Sequence, residues 1–305
     1  MSGTDSTRLM ERLDRFQQGR AWLSFPVAVG HRYAIQRCAT FAAMVAYYGF
    51  VSILPLFLVA TSLTRLVLAG YPSLQASVTE SLVTHFGVLG TELQSTIKPT
   101  TGDAVAIVVG LLVALWAGLG VMQSLQVAFN TIWGIPREAQ LTFARSRLRS
   151  LIVVTAFGVV LLISAVLPAV VSLLGASAAG QVAGFIASYA FALALYVLVY
   201  RVLTDVSLTW RDVLPGAMLA AALLVVLQAL GAQIVDRWIS NASALYGYFG
   251  ITLGMLLWIS LIAQLTLFGA QLNAVWKRHL WPRSILDRTD GPIDPAPAAP
   301  PAATP

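Results

Sequence analysis

Residues 104–133 read AVAIVVGLLVALWAGLGVMQSLQVAFNTIW, thirty positions without one Asp, Glu, Lys or Arg. A helix of about 20 apolar residues crosses the hydrocarbon of a bilayer. This stretch is long enough to do so, and Gly134-Ile135-Pro136 gives it a helix end. The rest of the chain has the same character. Of 305 residues, 58% are hydrophobic and only 10% charged, against roughly a quarter charged in a soluble domain. Too few solvated groups exist to cover a water-soluble surface. The charges also crowd into the first 37 residues, into 137–149, into 201–212 and into the tail after 276.

Between those clusters lie further apolar runs. The expected architecture is all-α, a polytopic membrane bundle of six transmembrane helices with amphipathic interfacial helices. The spans are expected at about 39–64, 104–124, 151–174, 182–200, 215–235 and 248–276, within a membrane domain of 39–278. Pro55 sits inside the first span. Its ring crowds the Val51 carbonyl and removes one backbone bond, so a kink is expected there, with Ser52 placed to help satisfy the loosened turn. Pro215 suits the first turn of the fifth span.

Three segments do not span. Residues 1–38 form a basic N-terminal segment. Within it, 5–20 reads as an amphipathic helix with Leu9, Leu13 and Phe16 opposite Arg8, Arg12 and Arg15, suited to the membrane surface. No apolar core of a cleavable signal precedes Val27. Residues 73–97 repeat apolar positions at three- and four-residue spacing with polar residues between, an amphipathic segment for the outer surface. The tail, 279–305, is expected to be disordered: six prolines fall in the 16 residues from Asp290.

Basic residues set the orientation. With the N-terminus, 131–150, 201–212 and the tail on one side, that side holds sixteen Lys and Arg, and the other holds Arg65, Lys98 and Arg237. The positive-inside rule then puts both termini in the cytoplasm. The same distribution accounts for the pI near 9.8 without nucleic acid as a partner.

No span carries a charge at its centre, which argues against a pump built on a buried carboxylate. Two polar seams remain. Trp116, Gln123 and Asn130 are spaced by seven on the second helix; Gly250, Leu257, Gln264 and Gln271 are so spaced on the sixth, with Gly247, Gly254, Leu261 and Phe268 alongside. Small residues let helices approach, and amides bond across the contact. The seams either glue the bundle or line a cavity. Tyr47 and Tyr48, near the cytoplasmic end of the first span, read as interfacial anchors. The lone Cys38 forms no disulfide and reads as a small interfacial residue. His31, His85 and His279 are scattered, and no nucleophile elbow, phosphate loop or metal-ligand spacing is present. Neither an enzyme nor a cofactor is expected.

Four blocks resemble one known family, the YihY/virulence factor BrkB family of bacterial inner-membrane proteins. They are Thr40–Pro55 (TFAAMVAYYGFVSILP), Leu115–Asn130 (LWAGLGVMQSLQVAFN), Tyr200-Arg201 followed by Trp210–Ala217 (WRDVLPGA), and Tyr246–Ala274 (YGYFGITLGMLLWISLIAQLTLFGAQLNA). Two departures stand out. Gln271 and Asn273 lie in GAQLN where the family usually has Gly-Ala-Glu-Leu-Asn. Thr204 and Asp205 follow the Tyr-Arg pair where a proline is usual. The resemblance implies six helices in the inner membrane, both termini inside, and a link to envelope integrity and lipid movement. The family's older ribonuclease label finds no clustered carboxylates or histidines here to support it.

Two functions follow as expectations. One is a transporter or flippase of an amphiphilic, anionic envelope lipid or lipid-linked precursor, through a polar cavity near Tyr48, Pro55, Gln123, Asn130, Arg201, Gln264, Gln271 and Asn273. Arg65, Lys98 and Arg237 would meet headgroups on the outer side. The other is a non-transporting scaffold that recruits envelope-assembly partners through its basic N-terminus and proline-rich tail. Membrane lipids are the expected partners of either, and self-association is compatible with both.

Overall fold

The computed structural model describes residues 21–68, 70–85, 104–156 and 178–281. Among these every regular element is helical, and no strand occurs. The helices are α1 (Ala21–Ile35), α2 (Cys38–Val67), α3 (Pro72–His85), α4 (Ala104–Ile132), α5 (143–156) and α6 (Ala178–Val202). A single 3₁₀ turn, Arg137–Ala139, lies between α4 and α5. Helical backbone then runs from Trp210 to Arg278.

That last run holds two spans. A straight helix of 69 residues would be roughly 100 Å long, and its ends could not meet. Yet the Gly216 N–H donates to Asn273 Oδ1 at 2.7 Å. The chain therefore reverses between the two apolar arms, Trp210–Gln228 and Thr252–Arg278, here called α7 and α8. Four helical stretches among the described residues are long and apolar enough to cross a membrane: Val108–Ile132 of α4, Gly184–Val202 of α6, α7 and α8. The start of α2, Cys38–Ile53, is a shorter apolar helix. Most of the expected span 151–174, residues 86–97 of the amphipathic segment, the N-terminal 1–20 and the tail from 282 lie outside the described residues.

Local chemistry sets the helix ends. Gly134, at φ 62°, ends α4, and the Ile135 N–H reaches back to Asn130 O at 2.8 Å, a glycine-ended cap. His279, at φ 50°, ends α8 with its N–H on the Trp276 and Val275 carbonyls. At the start of α7 the Asp212 carboxylate accepts from both the N–H and the hydroxyl of Thr209, each at 2.8 Å. Between α1 and α2 the break falls on Arg37, at φ 52°. The left-handed region costs a non-glycine residue about 1–2 kcal/mol. Exposed Arg37 should therefore tolerate Arg37→Gly with a gain of up to about 1 kcal/mol, read as a raised midpoint of unfolding in mixed micelles; a lowered midpoint would refute it.

The core is α2 packed on α4, α2 on the α7–α8 pair, and α6 on that pair, with α1 lying along α8. The tightest layer is formed by Phe129, Ile132, Tyr200, Leu203, Val213 and Leu267. Cys38, expected at the interface, is fully buried in this layer. Contacts also join the four basic segments. Gln36 Nε2 donates to Thr131 O, Arg149 pairs with Asp205, Lys277 with Asp212, and Arg278 donates to Trp133 O. The end of α1, the 131–150 stretch, the 201–212 connection and the end of α8 thus meet at one end of the bundle, here the basic end.

Packing loosens away from it. Val108, Val109, Leu111, Leu112 and Val113 are each more than a third exposed. These positions cover more than half of the helix circumference, with only Ala114 buried on the remaining face, so neighbours cover α4 on one side alone at that level. On α8, Gly254 has nothing within 4 Å of where a side chain would begin, whereas 269–271 and 273–275 are all buried.

Candidate functional site

The polar residues singled out from the sequence divide by depth rather than by helical face. Trp116 is 61% exposed and Gln123 is exposed as well, whereas Asn130 is 4% exposed. On α8, Leu257 is 45% exposed, Gln264 half-buried and Gln271 fully buried. Neither seam is one continuous buried face. A seven-residue step drifts about 20° on a straight helix, and the bundle encloses its helices only near the basic end. Gln123 therefore lies on the outer surface, away from the polar interior.

Near the middle of the bundle Tyr48 packs edge-on to Trp116 with ring centroids 6.2 Å apart. Its ring lies against Gly120, where an added Cβ would come within 2.5–2.9 Å of three ring carbons. Tyr48 is thus a packing residue of the α2–α4 contact as well as a neighbour of exposed Tyr47. Pro55 is within α2 and half-buried. Ser52 Oγ donates to Gly49 O at 2.7 Å, so its hydroxyl is committed two residues before the carbonyl of Val51 that the proline ring crowds.

At the basic end Asn130 and Asp205 face each other. Asn130 Nδ2 donates to Asp205 Oδ2 at 2.8 Å, and the Asp205 N–H donates to Asn130 Oδ1 at 3.2 Å. The same carboxylate accepts the Leu141 N–H at 3.2 Å and lies 3.5 Å from Arg149, whose Nη1 also donates to Thr204 O. The Asp205 side chain is 4% exposed. A buried carboxylate requires such compensation. Arg201, expected near a pathway, is exposed and uses its Nε to hold Leu208 O at 3.1 Å. It braces the 203–208 connection.

Deeper, Tyr200 is fully buried and donates to Thr266 O at 2.8 Å. It stacks on Tyr196 and meets Phe129 edge-on. Thr266 in turn donates to Ile262 O at 2.8 Å, while Gln264 Nε2 reaches Ser260 Oγ at 3.2 Å. Asn273 Oδ1 is taken by Gly216, and its Nδ2 has no hydrogen-bond partner. Gln271 has none at either polar atom, although it is fully buried. The bonding role open to it from sequence is not the one it plays: it ties no neighbouring helix. On α1, Tyr33 Oη is likewise without a partner, and burial pushes its hydroxyl up to about 12, keeping it neutral. The side chains of Arg65, Lys98 and Arg237, expected at the outer side, lie outside the described residues.

Asn130, Gln271 and Asn273 are buried and Arg201 is exposed, and each that bonds does so with a different partner, Asn130 with Asp205, Asn273 with Gly216 and Arg201 with Leu208; Tyr48, Gln123 and Gln264 are not among those partners. Sequence reading missed Asp205 as the partner of Asn130 and Tyr200 as the centre of the core. The i, i+4 spacing of Tyr196 and Tyr200 was the available sign of the latter. Among the described residues no group of three His, Cys, Asp or Glu side chains could hold a metal ion.

Comparison with known proteins agrees with this architecture. The profile of the family described as Virulence factor BrkB matches residues 29–290. A UPF0761 membrane protein of Pseudomonas paraeruginosa (strain DSM 24068 / PA7) is 24% identical over 288 residues, covering 87% of this chain and 67% of that protein. No solved structure matches.

Proposed function

We propose that this chain, which belongs to the virulence factor BrkB family of membrane proteins, moves an amphiphilic envelope lipid across the bilayer without performing chemistry on it. The observation that carries this reading is Gln271, a fully buried amide with both polar atoms unpaired. A buried unsatisfied polar group costs about 1–3 kcal/mol. A side chain that only packed helices would lose nothing by being apolar. An amide kept at that cost fits a place where a passing polar headgroup, or the water around it, supplies the missing bonds. Asn273 Nδ2, two residues on, is unpaired in the same way.

The looser part of the bundle supports the other half of the requirement. The exposed apolar side of α4 at Val108, Val109 and Leu111–Val113 offers acyl chains a place beside the protein while the headgroup moves inside. In the proposed topology there are six spans, with the basic end and both termini in the cytoplasm of a bacterial inner membrane. The close-packed layer then faces inward and the looser part outward. Arg65, Lys98 and Arg237 would receive the headgroup on the outer side.

The test pairs stability with transport. Gln271→Leu should raise the unfolding midpoint in mixed micelles, by about 1–3 kcal/mol. In proteoliposomes it should slow headgroup translocation of a fluorescent phosphatidylglycerol about tenfold or more, the loss of one charge-free bonding site at a barrier. A helix-bonding role gives the opposite sign in stability. No translocation by the unsubstituted protein, over candidate headgroups, would end the proposal.

A further inference from the structure

Among the described residues, the basic end carries more positive charge than its carboxylates balance. Ten Lys and Arg among the described residues gather there, from Arg32 to Arg278, against three carboxylates, Glu138, Asp205 and Asp212. Two of the three are committed, Asp205 beside Arg149 at 3.5 Å and Asp212 to Lys277 at 2.6 Å. Arg145, Arg147 and Arg211 form no ion pair among the described residues.

Two of these arginines are held in a particular way. Arg147 Cζ lies 5.1 Å above the Phe143 ring, and Arg211 Cζ 5.0 Å above the Trp210 ring. Both rings are outside the core: Phe143 is 71% exposed and Trp210 53%. A ring beneath a guanidinium restrains its plane while leaving the N–H edge free to bond. From the arginines of α5 an apolar stripe continues along the helix toward the membrane, through Leu148, Leu151 and Ile152, each more than 40% exposed. The opposite face of α5 is occupied: Ser146 bonds Gln126, Arg149 bonds Thr204, and Val153 is fully buried. One face thus holds the bundle, and the other presents arginines held over exposed rings at the helix start and then, further along toward the membrane, apolar surface.

That order matches an anionic glycerophospholipid read from phosphate to acyl chain. We infer that the outer face of α5 and the start of α7 bind such lipids: Arg145, Arg147 and Arg211 take the phosphate and its headgroup charge, and the acyl chain lies on Leu148, Leu151 and Ile152. Charge complementarity selects this occupant, since a zwitterionic headgroup leaves the excess cations unbalanced. The site does not depend on transport, because it lies outside the bundle and is measured by equilibrium binding.

The full-length protein, in nanodiscs of phosphatidylcholine, is titrated with short-chain phosphatidylglycerol or short-chain phosphatidylcholine and followed by thermal unfolding. Glycerol phosphate serves as the free-anion control. Phosphatidylglycerol should raise the midpoint in a saturable way and the other two should not. Arg147→Gln with Arg211→Gln should weaken the apparent affinity on the order of tenfold or more, from two basic groups near the surface. Arg147→Lys with Arg211→Lys, which keeps the charge, should retain part of it. Equal response to both phospholipids, or to glycerol phosphate, would overturn the inference. So would an unchanged affinity in the glutamine variant. Should that variant fail to fold, the headgroup series on the unsubstituted protein still decides.

Discussion

Gly216→Ala is expected to lower stability by about 3 kcal/mol, the upper part of the range for over-packing a core. Gly216 lies where α7 and α8 come closest. A Cβ built there would overlap the Gly269 carbonyl oxygen and come within 2.6 Å of the Asn273 amide. Neither is a flexible tip. The carbonyl belongs to the α8 backbone, and the Asn273 side chain is pinned by its bond from the Gly216 N–H. Relief requires the two helices to separate, which disturbs Tyr200 as well, since Gly269 leaves no room between Tyr200 Oη and the Gly216 carbonyl. Gly254→Ala is the matched control. It sits on α8 with nothing within 4 Å, so the same added methyl meets open space and should raise stability by up to about 1 kcal/mol through helix propensity. Unfolding midpoints in mixed detergent–dodecyl sulfate micelles would check both. Equal midpoints would show that the close crossing does not hold the bundle together.

This pair also marks where sequence reading succeeds and where it stops. Apolar runs are legible because hydrocarbon tolerates no long polar stretch, and α4 ends at Gly134 as its composition indicates. The spacing of small residues on the sixth span singled out Gly254 as a contact position, yet Gly254 is open and the crossing uses Gly269, with Gly216 opposite. A glycine in a membrane helix carries no sign of its partner, and the partner here is 53 residues away along the chain. Depth had the same effect on the amides. Gln123 and Asn130 are alike in type and spacing, but the helices close only around Asn130. Gln271 was visible as a polar residue in an apolar run. That both its amide atoms go unpaired is a property of its surroundings, fixed by side chains from other helices.

Asp205→Ala should cost about 3 kcal/mol, from leaving the Asn130 amide and the Leu141 N–H without their acceptor at about 1–3 kcal/mol each; Arg149, 38% exposed, adds little. The carboxylate is the acceptor on which three groups converge: Asn130 Nδ2, the Leu141 N–H and the Arg149 guanidinium, which also donates to the Thr204 carbonyl. Truncation leaves the Asn130 amide buried without an acceptor and Arg149 without its countercharge. It also removes the bond that ties the Leu141 N–H of the 131–150 connection to the end of α6. Asp205→Asn separates the two contributions: the amide oxygen can still accept from Asn130 or Leu141, while the charge facing Arg149 is gone, and an intermediate loss of about 1–3 kcal/mol follows. A cycle of Asn130→Ala and Asp205→Ala should show a coupling above about 0.5 kcal/mol, since the Asn130 amide donates to the Asp205 carboxylate at 2.8 Å, a bond that either truncation removes. Additive losses would mean that the pair touches without holding. In that case the junction of α4, α5 and α6 would rest on the packing of Phe129, Val153 and Leu203 with the Ser146–Gln126 and Arg149–Thr204 bonds, and Asn130 would be free to serve another purpose.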